Sequence, residues 1–170
     1  MKTISEKEKD RILEVINICG GKVASTADIL LNSSVQAELP ELILEEIYEI
    51  QGSVGDTEAV TTVVLLELAG KVSGYLFMLM DAPSAEQIAD ALTGQKHSHD
   101  NLDDTDISAL KEMGNIFSGN SLKSLSDFLG VDIFHSPPEL VTDLLGAIID
   151  SLVLETGSAN ESVMLTHQTF

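Results

Sequence analysis

The run Glu112-Met113-Gly114-Asn115-Ile116-Phe117-Ser118-Gly119-Asn120 sets the organisation of the whole chain, because much of its pattern also occurs 98 residues earlier. The match extends without a gap over residues 10–42 and 108–140. Recurrence at one fixed offset is the signature of an internal repeat. We therefore predict one domain, 1–170, made of two repeats at about 1–97 and 104–170 and joined by a polar linker at about 94–106. The identical pairs are Glu14/Glu112, Asn17/Asn115, Ile18/Ile116, Gly21/Gly119, Leu31/Leu129, Pro40/Pro138, Glu41/Glu139 and Leu42/Leu140.

Three polar residues of each repeat share one helix face. Ser108, Glu112 and Asn115 are at positions i, i+4 and i+7, which at about 100° per residue lie within about 60° of one another. Gly119 would extend that face and leave it open to a close partner. Such a stripe is most often a solvated helix surface, but its recurrence favours a functional site. The counterparts are Asp10, Glu14, Asn17 and Gly21, and Pro40 and Pro138 each follow the asparagine by 23 residues.

Both repeats open with helix signals. A serine or threonine with an acidic residue three positions later is a capping box, which marks a helix start. Glycine and small residues near the middle of each predicted helix are expected to interrupt it, and Asn or Gly near the end to stop it. The expected landmarks are a cap at Ser5-x-x-Glu8, a helix over about 6–19, a break at Gly20-Gly21 and an end near Asn32, then a cap at Asp104 or Thr105, a break near Ser118-Gly119 and an end at Gly130.

The remaining segments predict an antiparallel sheet. Thr57–Leu68 and Val72–Asp81 are rich in Val, Leu and Thr and flank a turn, which predicts a β-hairpin. Ser84–Leu92 has helical periodicity, and we expect a further helix at about Leu140–Leu154 before a last strand at Glu161–Phe170. That last strand lacks a following hairpin partner, so we expect a sheet edge or pairing with another molecule. The fold class is α/β (α+β), with the paired motif helices on one face of a shared antiparallel sheet.

Composition narrows the function classes. The 170 residues carry 28 Asp and Glu against 9 Lys and Arg, a formal charge of −19, which argues against binding to nucleic acid or to anionic membranes. Cys19 has no partner for an internal disulfide, which favours a reducing compartment. The polar amino terminus lacks the apolar stretch of a signal peptide. We therefore expect a cytoplasmic protein, and we interpret Cys19 as a small core residue.

The doubled pattern Asp/Ser-x3-Glu-x2-Asn-x22-Pro resembles the signature of the CheC/CheX/FliY phosphatases of bacterial and archaeal chemotaxis. Two copies in one chain resemble the CheC branch. The resemblance implies hydrolysis of the aspartyl phosphate of the response regulator CheY. It implies no cofactor of the chain's own, because the receiver supplies the Mg²⁺ ion and a lysine.

Residue roles follow from that resemblance together with side-chain chemistry. A carboxamide carries a donor and an acceptor on one rigid group, so Asn17 and Asn115 are expected to orient the attacking water. Glu14 and Glu112 are expected to pair with the receiver's lysine. Asp10 and Ser108 are weaker candidates for helping the helices dock. Pro40 and Pro138 are interpreted as structural residues that fix the entry into the sheet.

Other readings stay open at this point. Related proteins dock a CheD-type receptor deamidase or act in the flagellar switch, so a non-catalytic binding module is the alternative function. Because one chain holds both repeats, we expect a monomer. The segment His97-Ser98-His99-Asp100 could supply metal ligands but is interpreted as a solvated loop.

Overall fold

The computed structural model describes residues 4–96, 102–156 and 162–170. Helices and antiparallel strands are mixed, as the sequence predicts. The predicted hairpin is confirmed as Val60–Gly70 paired with Gly74–Asp81, and the helix after it as Ala82–Thr93. The helices are α1 (Glu6–Leu31), α2 (Gln51–Val54), α3 (Ala82–Thr93), α4 (Asp104–Leu129) and α5 (Leu145–Thr156). The strands are β1 (Glu41–Glu46), β2 (Val60–Gly70), β3 (Gly74–Asp81), β4 (Ile133–His135), β5 (Glu139–Leu144) and β6 (Ser162–His167).

The two long helices start with the same device. α1 and α4 each contain 26 residues, and both N-caps are capping boxes. In α1 the box joins Ser5 and Glu8, as predicted. In α4 the cap is Asp103, with Asp106 as its partner, so the predicted caps Asp104 and Thr105 are wrong by one or two residues. Each box satisfies backbone N–H groups that would otherwise lack a partner at the helix start.

Neither long helix is interrupted. The predicted breaks at Gly20-Gly21 and Ser118-Gly119 are wrong, because α1 and α4 continue through both positions. One glycine costs a helix interior only about 1 kcal/mol relative to alanine, which packing of the buried face offsets. The predicted ends are confirmed: Asn32 and Gly130 take left-handed conformations, with φ of 48° and 65°.

The strands form two hydrogen-bonded sheets. β2 is the centre of a four-stranded sheet, with β3 along one edge and β4 followed by β5 along the other. β1 and β6 form a separate antiparallel pair. The predicted antiparallel strands are confirmed, and among the described residues they form two hydrogen-bonded groups instead of one. Pro40 directly precedes β1 and Pro138 directly precedes β5.

Near the end of the chain, the structure differs from two elements predicted from the sequence, a helix and a strand. The helix expected at about Leu140–Leu154 begins at Leu145, because the five residues before it belong to β5 and pair with β2. A short apolar run does not distinguish strand from helix without its partner strand. The strand expected at Glu161–Phe170 is β6, which lies at an edge but pairs with β1 of the same chain.

β2 is covered on both faces. Val64 and Leu66 belong to one core cluster with residues of α3 and α4, whereas Val63 packs with Ile148 and Leu152 of α5. Side chains alternate across a strand, so burial of both sets makes β2 the buried centre of the fold. α4 therefore lies directly on the sheet, and α1 packs against α4 from outside it.

The predicted linker at 94–106 is only partly described. α4 already begins at Asp104, and residues 97–101 lie outside the described part. The possible metal ligands His97-Ser98-His99-Asp100 fall in that segment, so the structure does not test them. No helix within the described ranges is long and apolar enough to span a membrane.

Candidate functional site

The two motif helices cross in antiparallel directions. Lys22 Nζ donates to Ser124 Oγ at 2.6 Å, and Asn120 Nδ2 donates to Thr26 Oγ1 at 3.3 Å. As α1 advances from 22 to 26, its partner position on α4 goes back from 124 to 120. These two hydrogen bonds also correspond to each other under the offset of 98 residues. The crossing point is therefore a pseudo-two-fold centre near the buried residue Ala24 and its counterpart on α4.

This crossing separates the two motifs. Asn17 lies seven residues before Ala24, and Asn115 lies seven residues before Leu122. Seven residues of α-helix span about 10 Å. Because the helices run in opposite directions, the asparagines lie on opposite sides of the crossing. The molecule therefore has two distinct candidate sites: the first site (Glu14, Asn17 and Gly21 on α1) and the second site (Glu112, Asn115 and Gly119 on α4).

The polar side chains of both sites face outward. Glu14, Asn17 and Glu112 are exposed, and Asn115 is half-buried. Among the described residues, none of these four side chains forms a hydrogen bond or an ion pair. Their donors and acceptors are therefore available to an approaching protein, at no cost in broken internal contacts.

The two supporting polar residues differ from each other. Asp10 is exposed, like the motif residues beside it. Ser108 is also exposed, but its Oγ donates to the backbone oxygen of Asp104 at 2.7 Å, one turn back in its own helix. A hydroxyl engaged in this way retains its lone pairs as acceptors. Asp10 and Ser108 therefore present different chemistry at equivalent positions.

The glycines of the helices divide into two kinds. A Cβ at Gly114 would lie 2.6 Å from Val64 Cγ1, so this glycine is needed for α4 to rest on β2. A Cβ at Gly21 or Gly119 would meet nothing within 4 Å. Glycine at an exposed helical position costs about 1 kcal/mol relative to alanine without any packing return. Gly21 and Gly119, which are equivalent under the offset of 98 residues, leave the exposed helix surface in each motif without a side chain.

The second site has a backbone support that the first site lacks. Ser118 is fully buried, and its Oγ donates to the backbone oxygen of Asn115 at 2.9 Å. The equivalent residue in the first repeat is Gly20, which has no hydroxyl. Ser118 therefore restrains the backbone at Asn115, and no such bond can form at Asn17.

The other chemical candidates do not form sites. Cys19 is buried and its Sγ donates to the backbone oxygen of Ser121 at 3.3 Å, which confirms it as a core residue. Burial raises the pKa of the Cys19 thiol, which disfavours a thiolate. No group of three or more metal-ligating side chains occurs among the residues with assigned positions.

Sequence reasoning missed the polar pairs at the crossing. Lys22 and Asn120 are equivalent in the repeat, as are Thr26 and Ser124, so each pair joins one repeat to the other. Their equivalence was visible at the offset of 98 residues, but nothing in the sequence indicated that the helices touch there.

The chain is similar to known proteins in both sequence and fold. The family model described as chemotaxis phosphatase CheX matches residues 62–152, more than half of the chain. The CheY-P phosphatase CheC of Bacillus subtilis (strain 168) is 30% identical over 165 residues, which cover 95% of this chain and 79% of CheC. The chain belongs to the CheC/CheX/FliY family.

Solved structures of this family have the same fold. FliY of Thermotoga maritima is 23% identical with a TM-score of 0.77, over 98% of this chain and 83% of that one. A chain in the crystal structure of the CheX-CheY-BeF3-Mg²⁺ complex from Borrelia burgdorferi is 21% identical with a TM-score of 0.56, over 76% and 77% of the two chains. The mixed α and antiparallel β architecture is therefore that of the CheC-like proteins.

Proposed function

We propose that this chain is a CheY-P phosphatase that hydrolyses the aspartyl phosphate of the receiver at two separate sites. One observation carries the proposal. Each of the two long helices presents an outward-facing Glu-x-x-Asn pair that has no partner among the described residues, beside a glycine that has no packing role. Membership in a family of chemotaxis phosphatases supports it.

The proposed mechanism relies on positioning. The receiver brings the phosphoryl group, a Mg²⁺ ion and a lysine, so the chain needs no cofactor of its own. Asn17 or Asn115 enters beside the phosphoryl group and holds a water molecule in line with the leaving oxygen. Phosphoryl transfer depends mainly on such alignment and on charge stabilisation.

Glu14 and Glu112 have a different proposed role. Each carboxylate pairs with the receiver's lysine and fixes the helix against the receiver, as charge-assisted hydrogen bonds are strong and directional. A carboxylate used in this way is a poor base, so proton transfer is not assigned to it. Asp10 and Ser108, one turn before the glutamates, assist docking, and Pro40 and Pro138 hold the entries to β1 and β5.

The decisive experiment removes both amides. In the variant Asn17→Ala/Asn115→Ala, the decay of phosphorylated CheY should fall to its spontaneous rate, because no group remains to orient water. Gln87→Ala is the matched control, since Gln87 is an exposed amide on α3 and belongs to neither motif. Circular dichroism checks the fold. If the folded double variant hydrolyses as fast as the parent, the catalytic assignment is wrong.

That outcome would leave the alternative function, a binding module that docks CheY or a CheD-type deamidase without hydrolysis. Replacement of Glu14 or Glu112 by Ala separates the two roles, because it should weaken receiver binding and leave turnover by bound receiver less affected. Since one chain carries both sites, we also propose that it acts as a monomer, which light scattering at assay concentration tests.

A further inference from the structure

Arg11 is an unusual cation in this acidic chain. It is exposed on α1, and its guanidinium carbon lies 5.3 Å from the ring centroid of Phe128, near the end of α4. With 28 Asp and Glu in the sequence, an ion pair would be the ordinary fate of such a group. Within the described part of the chain Arg11 forms none. Its five N–H donors are therefore not used by a carboxylate of the residues that the structure describes.

Arg11 borders the first site. It lies three residues before Glu14, so it flanks the motif face about 60° around the helix. Its contact with the ring fixes the position of the guanidinium, because a cation over an aromatic face is attracted by the ring quadrupole. The contact is made to the face of the Phe128 ring, which accepts no ordinary hydrogen bond, and Arg11 is exposed, so its N–H donors stay accessible.

The second site has no equivalent cation. The residue 98 positions after Arg11 is Ala109, and the residue 98 positions before Phe128 is Leu30. Next to Leu30, Ile29 is 81% exposed, whereas its counterpart beside Phe128 is Asp127. On this side of the motif face, the first site therefore has Arg11, whereas the second site has Ala109 and the exposed Ile29. The second site's own neighbouring cation, Lys111, lies on the other side of its motif face.

We propose that Arg11 is a receiver-recognition residue of the first site alone, where its guanidinium, held by Phe128, binds a carboxylate on the surface of the receiver. The inference rests on the proposed function, because it takes the receiver as the partner. It makes the first site selective for receivers with an acidic residue beside the phosphorylation site. The second site lacks this requirement.

A structural role alone would give different results. If Arg11 only joins α1 to α4 through Phe128, its loss lowers stability and leaves recognition intact. The affinity for the receiver and its salt dependence are therefore the readouts that matter. An exposed ion pair between two proteins is screened by salt, whereas a contact between helices of one chain does not change receiver affinity.

The test examines Arg11→Gln in two single-site chains. In Asn115→Ala, where only the first site hydrolyses, Arg11→Gln should raise the KM for phosphorylated receiver on the order of fivefold with little change in kcat, as expected for a partly screened charge pair. The rise should shrink at high salt. In Asn17→Ala, where only the second site hydrolyses, Arg11→Gln should leave KM unchanged. Lys96→Gln, at an exposed cation after α3, controls for the altered net charge.

Two further variants sharpen the result. Phe128→Leu copies the residue at the equivalent position and should raise the KM of the first site less than Arg11→Gln does, because the guanidinium remains but is no longer held. Ala109→Arg in the Asn17→Ala chain should lower the KM of the second site for a receiver that has an acidic residue beside its phosphorylation site. An unchanged KM for Arg11→Gln at the first site, at low salt and with the fold intact, would overturn the inference.

Binding separates this inference from the proposed function. Calorimetric titration of the parent and of Arg11→Gln with receiver activated by beryllofluoride needs no hydrolysis. If no chain hydrolyses the phosphorylated receiver, the proposed function fails, and a weaker Kd at one of two sites would still support Arg11 in recognition. Identical titrations for the two chains would reject the role of Arg11, whatever the hydrolysis assay gives.

Discussion

α1 and α4 match each other at an offset of 98 residues but lie in different surroundings. Both have 26 residues, begin with a capping box and carry Glu-x-x-Asn on an exposed face. α4 rests on the four-stranded sheet as well as on α1 and α3, whereas α1 packs on α4, α3 and β1. The exposed face therefore carries the same motif in both helices. The residues of the opposite face differ with the elements that each helix packs against. A motif that recurs while its packing face diverges is not required by the packing of either helix.

The clearest packing difference lies at one pair of positions. Gly114 of α4 faces Val64 of β2, and its counterpart on α1 is the half-buried Ile16. Position 114 lies about 120° around the helix from the face that carries Glu112, Asn115 and Gly119. Glycine at position 114 therefore serves packing and not recognition. The equivalent positions 118 and 20 provide a second difference. Ser118 donates a hydrogen bond to the backbone oxygen of Asn115, whereas Gly20 has no side chain to do the same at Asn17.

The largest expected effect compares the two asparagines. Asn115→Ala should lower hydrolysis of phosphorylated CheY by at least half, and Asn17→Ala by an equal or smaller amount, because Ser118 restrains the backbone of Asn115 alone. The measurement is phosphate decay with each variant at equal concentration. A chain that loses more activity at Asn17 than at Asn115 would reverse the ranking of the two sites.

An intermediate effect concerns stability on the opposite face. Gly114→Ala should lower the free energy of unfolding by about 1–3 kcal/mol, because the added methyl overlaps Val64 in a filled core. Ile16→Ala places alanine at the equivalent position of α1. It should lower the free energy of unfolding by less, since Ile16 is only half-buried. Urea unfolding compares the two. Equal losses would show that α4 shifts away from β2 to accept the methyl group.

The smallest expected effect concerns Gly21 and Gly119, where an added Cβ would meet no neighbouring atom. Gly21→Ala and Gly119→Ala should each raise the free energy of unfolding by about 0.5–1 kcal/mol, because alanine favours the helix and meets no neighbour. The same variants should weaken binding of activated receiver, since the methyl group stands where the partner approaches. A stabilised variant that binds as tightly as the parent would remove the glycines from the docking surface.

Local features of the fold were predictable from the sequence. The α1 capping box and the left-handed ends at Asn32 and Gly130 depend on side chains within a few residues, and all are confirmed. The hairpin of β2 and β3 is confirmed for the same reason. The helix breaks at Gly20-Gly21 and Ser118-Gly119 were predicted wrongly, because a propensity cost of about 1 kcal/mol per glycine is smaller than the stabilisation from burying one side of a long helix.

The candidate site was predictable only in part. Spacing alone placed Glu112 and Asn115 on one face, and the repeat doubled that face. It did not indicate that the two faces lie on opposite sides of a helix crossing, or that Arg11 of one repeat touches Phe128 of the other. Such contacts join residues more than 100 positions apart, and the sequence carries no local sign of them.

By itself, the sequence determined the match between residues 10–42 and 108–140, the polar face of each motif helix and most helix ends, because these follow from periodicity and from hydrogen bonds between near neighbours. Only the tertiary structure decided which glycines serve packing, that β5 and not a longer helix follows Pro138, and how differently the two sites are bordered. The physical reason is that strand pairing and helix packing are settled by burial of apolar surface between distant segments. The Glu-x-x-Asn motifs of α1 and α4 therefore have different neighbouring residues.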